Sequence, residues 1–204
     1  MNHYFEYNSS LISKERNISF KIKELEISLV SDVNVFSNSR IDEGSFIFIN
    51  YLLGEDLDGE VLDLGCGYGV IGISLKLLYT KLNLKMSDVN PLCTKLTDEN
   101  LKKYHLDDVS VILSNSYSSI DNHFDIVLLN PPISCGKKVI YKMYDETYEH
   151  LNENGRFYLV IRKDKGALSH LKYLSTLFKK VDIVKKEKGY YILKAIKETK
   201  KKEQ

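Results

Sequence analysis

The chain has 204 residues, 43% of them apolar and 28% charged, enough to bury the core of one domain. It has no apolar run near the ~20 residues a membrane span needs, and its N-terminal MNHYFEYNSS lacks the basic start and apolar stretch of a secretion signal. Three dispersed cysteines, Cys66, Cys93 and Cys135, suit neither a disulfide framework nor a structural zinc site.

A cytoplasmic protein without a metal, and a monomer, is therefore expected. The net charge is +1, but it is unevenly spread. Residues 1–135 carry 11 Lys/Arg against 19 Asp/Glu, and residues 136–204 carry 18 against 9. This points either to an anionic partner for the C-terminal half or to a solvated lysine-rich surface.

ISFKI (18–22) and LEISLVS (25–31) alternate apolar and polar residues, which predicts a short hairpin. Strand and helix patterns alternate from there on. EVLDL (60–64) reads as a buried strand, 69–79 as a helix, 82–89 as the next strand, and Asn90-Pro91 as the opening of a helix to about His105. Strands are expected at 109–114 and 124–130, followed by a helix over 137–151. Gly155 then turns the chain into a strand at 156–163, and a helix follows over 166–180. VDIVKKE and YYILKAIK close as a pair around Lys188-Gly189, too tightly joined for a helical crossover and so antiparallel.

The pattern predicts an α/β fold: a doubly wound, Rossmann-like, mostly parallel seven-stranded sheet with an antiparallel last strand and a short N-terminal hairpin. Residues 1–44 are read as hairpin and cap segment, 45–196 as the main domain and 197–204 as a basic tail.

DLGCGYGVIG (63–72) follows a strand and opens a helix. Gly65, Gly67 and Gly69 permit a tight turn and close approach of backbone to a ligand. The spacing Gly67-x-Gly69-x-x-Gly72, with Asp88 about 20 residues on, also meets the dinucleotide fingerprint, which keeps a nicotinamide-dependent oxidoreductase in play. Asp63 argues against a pyrophosphate and for a ligand with a cationic amine, as in S-adenosylmethionine. Asp88 then suits the two ribose hydroxyls or, alternatively, an N-cap. Asn115 suits the adenine edge or a plain turn.

NPPI, 130–133, ends the fourth strand. Prolines fix φ and remove N–H groups, so the Asn130 side-chain oxygen and the Pro131 carbonyl form two fixed acceptors. They match the two hydrogens of a planar amine, and they favour the positive charge that develops as its nitrogen is methylated.

With those residues in view, the chain resembles class I S-adenosylmethionine-dependent methyltransferases of the small-domain type. Within them it is similar to bacterial guanine-N2 methyltransferases of small-subunit ribosomal RNA. The resemblance rests on Asp63–Gly69, Asp88 and Asn130-Pro131-Pro132-Ile133, supported by HYF (3–5), VFSNSRIDEGS (35–45), NPPISCGKK (130–138) and KGYYILKA (188–195). It implies S-adenosylmethionine as cofactor, held by Asp63, Gly65, Cys66, Gly67, Gly69, Asp88, Val89, Asn115, Ser116 and Asn130, with Phe36 over the methionine end or simply packed as a cap. It also implies catalysis at Asn130, Pro131, Pro132 and Ile133.

Ile133 departs from the Tyr or Phe that many amino methyltransferases use to stack on the substrate. Phe36, Tyr190 or another aromatic is the expected substitute. Asn115 replaces a frequent Asp. Cys135 as a covalent nucleophile is disfavoured by its position beyond Pro-Pro-Ile-Ser. Lys137, Lys138, Arg162 and Lys165 are candidate phosphate contacts for ribosomal RNA or an assembling small subunit. Methylation of a protein glutamine amide or adenine N6, and a non-catalytic RNA-binding factor, are the remaining alternatives.

Overall fold

The computed structural model describes residues 14–35 and 40–198. Phe36, Ser37, the HYF segment and residues 199–204 of the tail lie outside the described residues, and with them the cofactor role expected of Phe36.

Strands β1 (Glu15–Ile22) and β2 (Leu25–Asp32) pair in antiparallel register from Glu15↔Asp32 to Ile22↔Leu25. Their alternation places Ile18, Ile22, Ile27 and Leu29 on one buried face. The hairpin is fastened by the helix α3 (Pro91–Lys103). Asn100 of α3 accepts from the Val30 N–H at 2.7 Å and donates to the carbonyls of Val30 and Tyr68 at 2.8 and 2.9 Å. One buried amide thus ties the hairpin to the glycine loop.

The main sheet runs β5-β4-β3-β6-β7-β9-β8. Its strands are β3 (Glu60–Leu64), β4 (Asn83–Asp88), β5 (Ser110–Leu113), β6 (Phe124–Leu129), β7 (Leu151–Arg162), β8 (Lys180–Glu187) and β9 (Tyr190–Ile196). The first five are parallel, and β9 is antiparallel to both β7 and β8. Lys188 and Gly189 have φ of 46° and 80°, the positive pair that a two-residue hairpin turn demands. Helices α1 (Glu43–Leu52), α2 (Val70–Leu78) and α3, with the hairpin, cover one face, while α4 (Lys137–His150) and α5 (Ala167–Leu177) cover the other.

One strand begins earlier than its pattern suggests. β7 starts at Leu151, directly after α4, with Leu151 opposite Phe124; the register then shifts so that Arg156 meets Ile126. The residues between are held by the chain beyond β9: Asn154 N–H donates to the Lys197 carbonyl at 2.6 Å, and Lys197 N–H to Gly155 at 2.9 Å. Gly155 therefore lies inside an irregular strand, not in a turn before it. No described helix is long and apolar enough to cross a membrane.

The chain builds outward from β3 to β4 and β5, then returns to place β6 on the other side of β3. Leu64 of β3 pairs with Leu129 of β6. The glycine loop and the Asn-Pro-Pro turn therefore leave adjacent strands at the same sheet edge, where open α/β sheets bind ligands.

Candidate active site

A cavity of about 390 Å³ opens between these two segments, within the range of small-molecule sites. Gly65, Cys66 and Gly67 form one wall, and Asn130, Pro131 and Ile133 another. A recess of about 50 Å³ lies beside it, lined by Asp88, Val89, Asn115, Ser116 and side chains of α4. Gly65 and Pro132 border both, so an elongated ligand can occupy the two together.

The loop has the shape a ligand needs. Gly67 has φ 60°, and a Cβ there would meet nothing within 4 Å. Gly69, at φ 92°, caps α2, and a Cβ on it would come within 2.6 Å of Ile73. The loop is braced from behind: Gly67 N–H donates to Asp88 Oδ2 at 2.9 Å, and Thr97 Oγ1 donates to the Gly67 carbonyl at 2.8 Å.

Asp88 serves the loop on both sides, its Oδ1 accepting from Asn90 N–H at 2.8 Å. The carboxylate also borders the recess. The N-cap of α3 is Asn90, whose side chain accepts from Leu92 N–H at 2.9 Å, so Asp88 is not the cap. Burial raises the Asp88 pKa, against the pull of the N–H groups of Asn90, Gly67 and Val89.

Asp63 sits elsewhere than its place before the loop suggests. It is 1% exposed and is not on the cavity wall. It lies beneath the loop, where Oδ2 accepts from Gly72 N–H at 2.9 Å while Oδ1 is buried without a partner. Burial moves its pKa up to about 7, with a further push from Asp88. Asp63 thus braces the loop through Oδ2 and keeps Oδ1 without a partner among the described residues.

The Asn130 amide is held by its nitrogen. Nδ2 donates to Asp42 Oδ2 at 3.1 Å and to Ser45 Oγ at 3.0 Å. The same Asp42 oxygen accepts from Ser45 N–H at 2.8 Å as the N-cap of α1. Turning the amide over would set Oδ1 against this carboxylate, so the network fixes Oδ1 as the outward acceptor. The Asp-x-x-Ser spacing of residues 42–45 marks a helix start in the sequence. Its contact 88 residues away has no local signal.

Ile133 and Tyr190 line the same cavity, as does Tyr68, whose hydroxyl is buried without a hydrogen-bond partner. The Tyr190 ring lies on Gly44, where a Cβ would come within 2.7 Å of it. Arg162 lines the cavity but is engaged bidentately by Asp164 at 3.0 and 2.7 Å, with its guanidinium 6.0 Å from the Tyr190 ring. Lys165 is on the cavity wall, whereas Lys137 and Lys138 are exposed in the first turn of α4. Cys135 is 7% exposed and burial raises its thiol pKa, which is unlike a reactive thiolate. Among the described residues no group of three or more His, Cys, Asp or Glu is placed to hold a metal ion.

The model of the family described as methyltransferase small domain matches residues 26–194. The chain belongs to the methyltransferase small-domain family. Proteins similar to the chain differ in length. YbxB of Bacillus subtilis, an uncharacterised protein, is 36% identical over 195 residues, spanning 95% of this chain and 97% of its own. Ribosomal RNA small subunit methyltransferase C of Actinobacillus pleuropneumoniae serotype 7 is 33% identical over 147 residues, which is 70% of this chain but only 44% of that enzyme. Among solved structures, the T. thermophilus 16S rRNA N2 G1207 methyltransferase, in complex with AdoMet and guanosine, shares the fold at a TM-score of 0.77 and 24% identity. The likeness covers 90% of this chain and half of that one.

The site suits the cofactor of such enzymes: an open cradle at Gly67, a carboxylate at Asp88 beside a narrow recess, and buried hydroxyls without partners at Tyr68 and Ser116.

Proposed function

We propose that this protein transfers the methyl group of S-adenosylmethionine to the exocyclic N2 amine of a guanine in small-subunit ribosomal RNA. The observation that carries this reading is the Asn130 amide, which lines the cavity with Gly65–Gly67 and is anchored through its nitrogen, leaving its oxygen as the acceptor. The bound cofactor supplies an electrophilic methyl on a sulfonium.

Gly65, Gly67 and Asp88 would hold its body, and Val89, Asn115 and Ser116 the recess side. Asn130 Oδ1 and the Pro131 carbonyl accept the two amine hydrogens and draw the planar nitrogen toward tetrahedral, with its lone pair directed outward. As the nitrogen–carbon bond forms and the carbon–sulfur bond breaks, the same acceptors stabilise the charge that develops on nitrogen. One proton then leaves the nitrogen to water.

Tyr190 is the aromatic that takes over where Ile133 lacks a ring to stack on the base. Arg162 gives that ring a cationic neighbour. Lys165 at the cavity mouth, and Lys137 and Lys138 where a cation opposes the helix dipole unless an anion is present, are the phosphate contacts. The rRNA and guanosine named for the A. pleuropneumoniae and T. thermophilus proteins support this substrate class. A cytoplasmic partner, naked rRNA or an assembling small subunit, follows from it.

The test is mass spectrometry of modified nucleosides from rRNA and tRNA of cells with and without the protein. N2-methylguanosine in small-subunit rRNA falls when the protein is absent. A loss confined to N6-methyladenosine, or no nucleoside change at all, contradicts the proposal.

A further inference from the structure

Asp42 is the acidic residue on the wall of the 390 Å³ cavity. Its Oδ2 is committed, taking hydrogen bonds from Ser45 N–H, Ser45 Oγ and Asn130 Nδ2. Its Oδ1 takes none from the described residues. Capping α1 needs a single oxygen, and Asn or Ser would cap equally well, so the cap does not use the second oxygen. The charge is felt inside the cavity: Tyr68 and Tyr190, which also line it, have their hydroxyl pKa values raised by burial and then by Asp42.

The carboxylate is one hydrogen bond, 3.1 Å, from the amide that takes the amine. Asn130 and Asp42 thus each keep an acceptor oxygen outside their mutual bond, on two residues that line one cavity. Guanine alone among the standard bases carries a ring N–H next to its exocyclic amine. Adenine N6 and cytosine N4 are flanked instead by a ring nitrogen lone pair, which a carboxylate repels. We propose that Asp42 accepts the N1–H of guanine and thereby selects this base, rejecting adenine and cytosine by an unpaired lone pair as much as by a lost bond. The inference rests on the reading above that a base amine docks at Asn130.

The test compares guanosine with 2-aminopurine riboside, which keeps the amine but has a lone pair at N1. Each is titrated into protein saturated with S-adenosylhomocysteine. The wild type is expected to prefer guanosine by about ten-fold or more. In Asp42→Asn, an amide donor replaces the outward oxygen while the cap and the Asn130 bond persist, so the preference falls at least about ten-fold or inverts. Asp42→Ser, also a capping residue, loses the preference without inverting it. Comparing the ratio across variants cancels the contribution of the O6 atom that 2-aminopurine lacks.

Binding of S-adenosylhomocysteine to the variants stays within about three-fold of wild type, less than the ten-fold of one lost specific contact. An unchanged guanosine preference in both variants overturns the inference alone. A loss that falls on S-adenosylhomocysteine binding also overturns it, by assigning the carboxylate to the ligand's amine. A wild type with no preference for guanosine over adenosine sinks the guanine reading and the inference together.

Discussion

Asn130 differs from an ordinary strand-ending Asn in how its two amide atoms are used. Both hydrogens are consumed by Asp42 and Ser45, so the orientation of the amide is set by the fold, and in the proposed reaction its oxygen needs no reorganisation. Removing it by Asn130→Ala takes away one charge-assisted acceptor, about 2–4 kcal/mol of transition-state stabilisation. The expected loss is roughly 30- to 1,000-fold in kcat for methyl transfer to RNA, measured by incorporation of labelled methyl. A kcat unchanged in this variant would remove Asn130 from the chemistry.

The residue types at this site were readable in the sequence because prolines 131 and 132 and the glycines of the loop constrain the backbone whatever surrounds them. The bond from Asp63 to Gly72 was not legible, since a position before a glycine loop does not reveal on which side of the strand a carboxylate points. Here it points under the loop to Gly72.

Helix α1 carries the site at one end and is moored at the other. Just beyond its C-terminus, Glu55 accepts from Tyr51 Oη at 2.6 Å, Tyr158 Oη at 2.5 Å and Lys194 Nζ at 2.8 Å, which joins α1 to β7 and β9. Burial alone would raise the Glu55 pKa. The hydrogen bonds from Lys194, Tyr158 and Tyr51 outweigh it and bring the group down from 4.5 to about 2.

A carboxylate held below its unfolded value stabilises the fold above that value and loses the contribution as it takes up a proton. Glu55→Gln is therefore expected to destabilise the protein at neutral pH by about 2 kcal/mol, an allowance that includes partial solvent screening. By thermal melting this is roughly 5 °C, and the gap from wild type closes as the pH falls from 4.5 toward 2. A gap independent of pH would show that Glu55 acts by packing alone. The strands and helices were legible from their periodicity, but this mooring was not. Glu55 and Lys194 are 139 residues apart, and only the return of β9 beside β7 brings them together.

Across the molecule, the reversal of strand order between β3 and β6 accounts for where the site is. It sets two loops, 65 residues apart along the chain at Gly65 and Asn130, on one edge. That topology was legible because alternating strands and helices must wind right-handedly about a parallel sheet. The irregular start of β7 was not, because it depends on Lys197 pairing back onto Asn154 and Gly155. The charge asymmetry places the basic half on α4, α5 and the strands β7 to β9, and two of its cations, Arg162 and Lys165, border the cavity.

The central claim is that one cavity presents a methyl donor to Asn130. A crystal structure with S-adenosylhomocysteine tests it most directly. The account predicts the ligand stretched from the Asp88 recess across Gly65–Gly67, with its sulfur directed at the Asn130 oxygen. A ligand bound elsewhere, or an Asn130 amide turned from the sulfur, would contradict it.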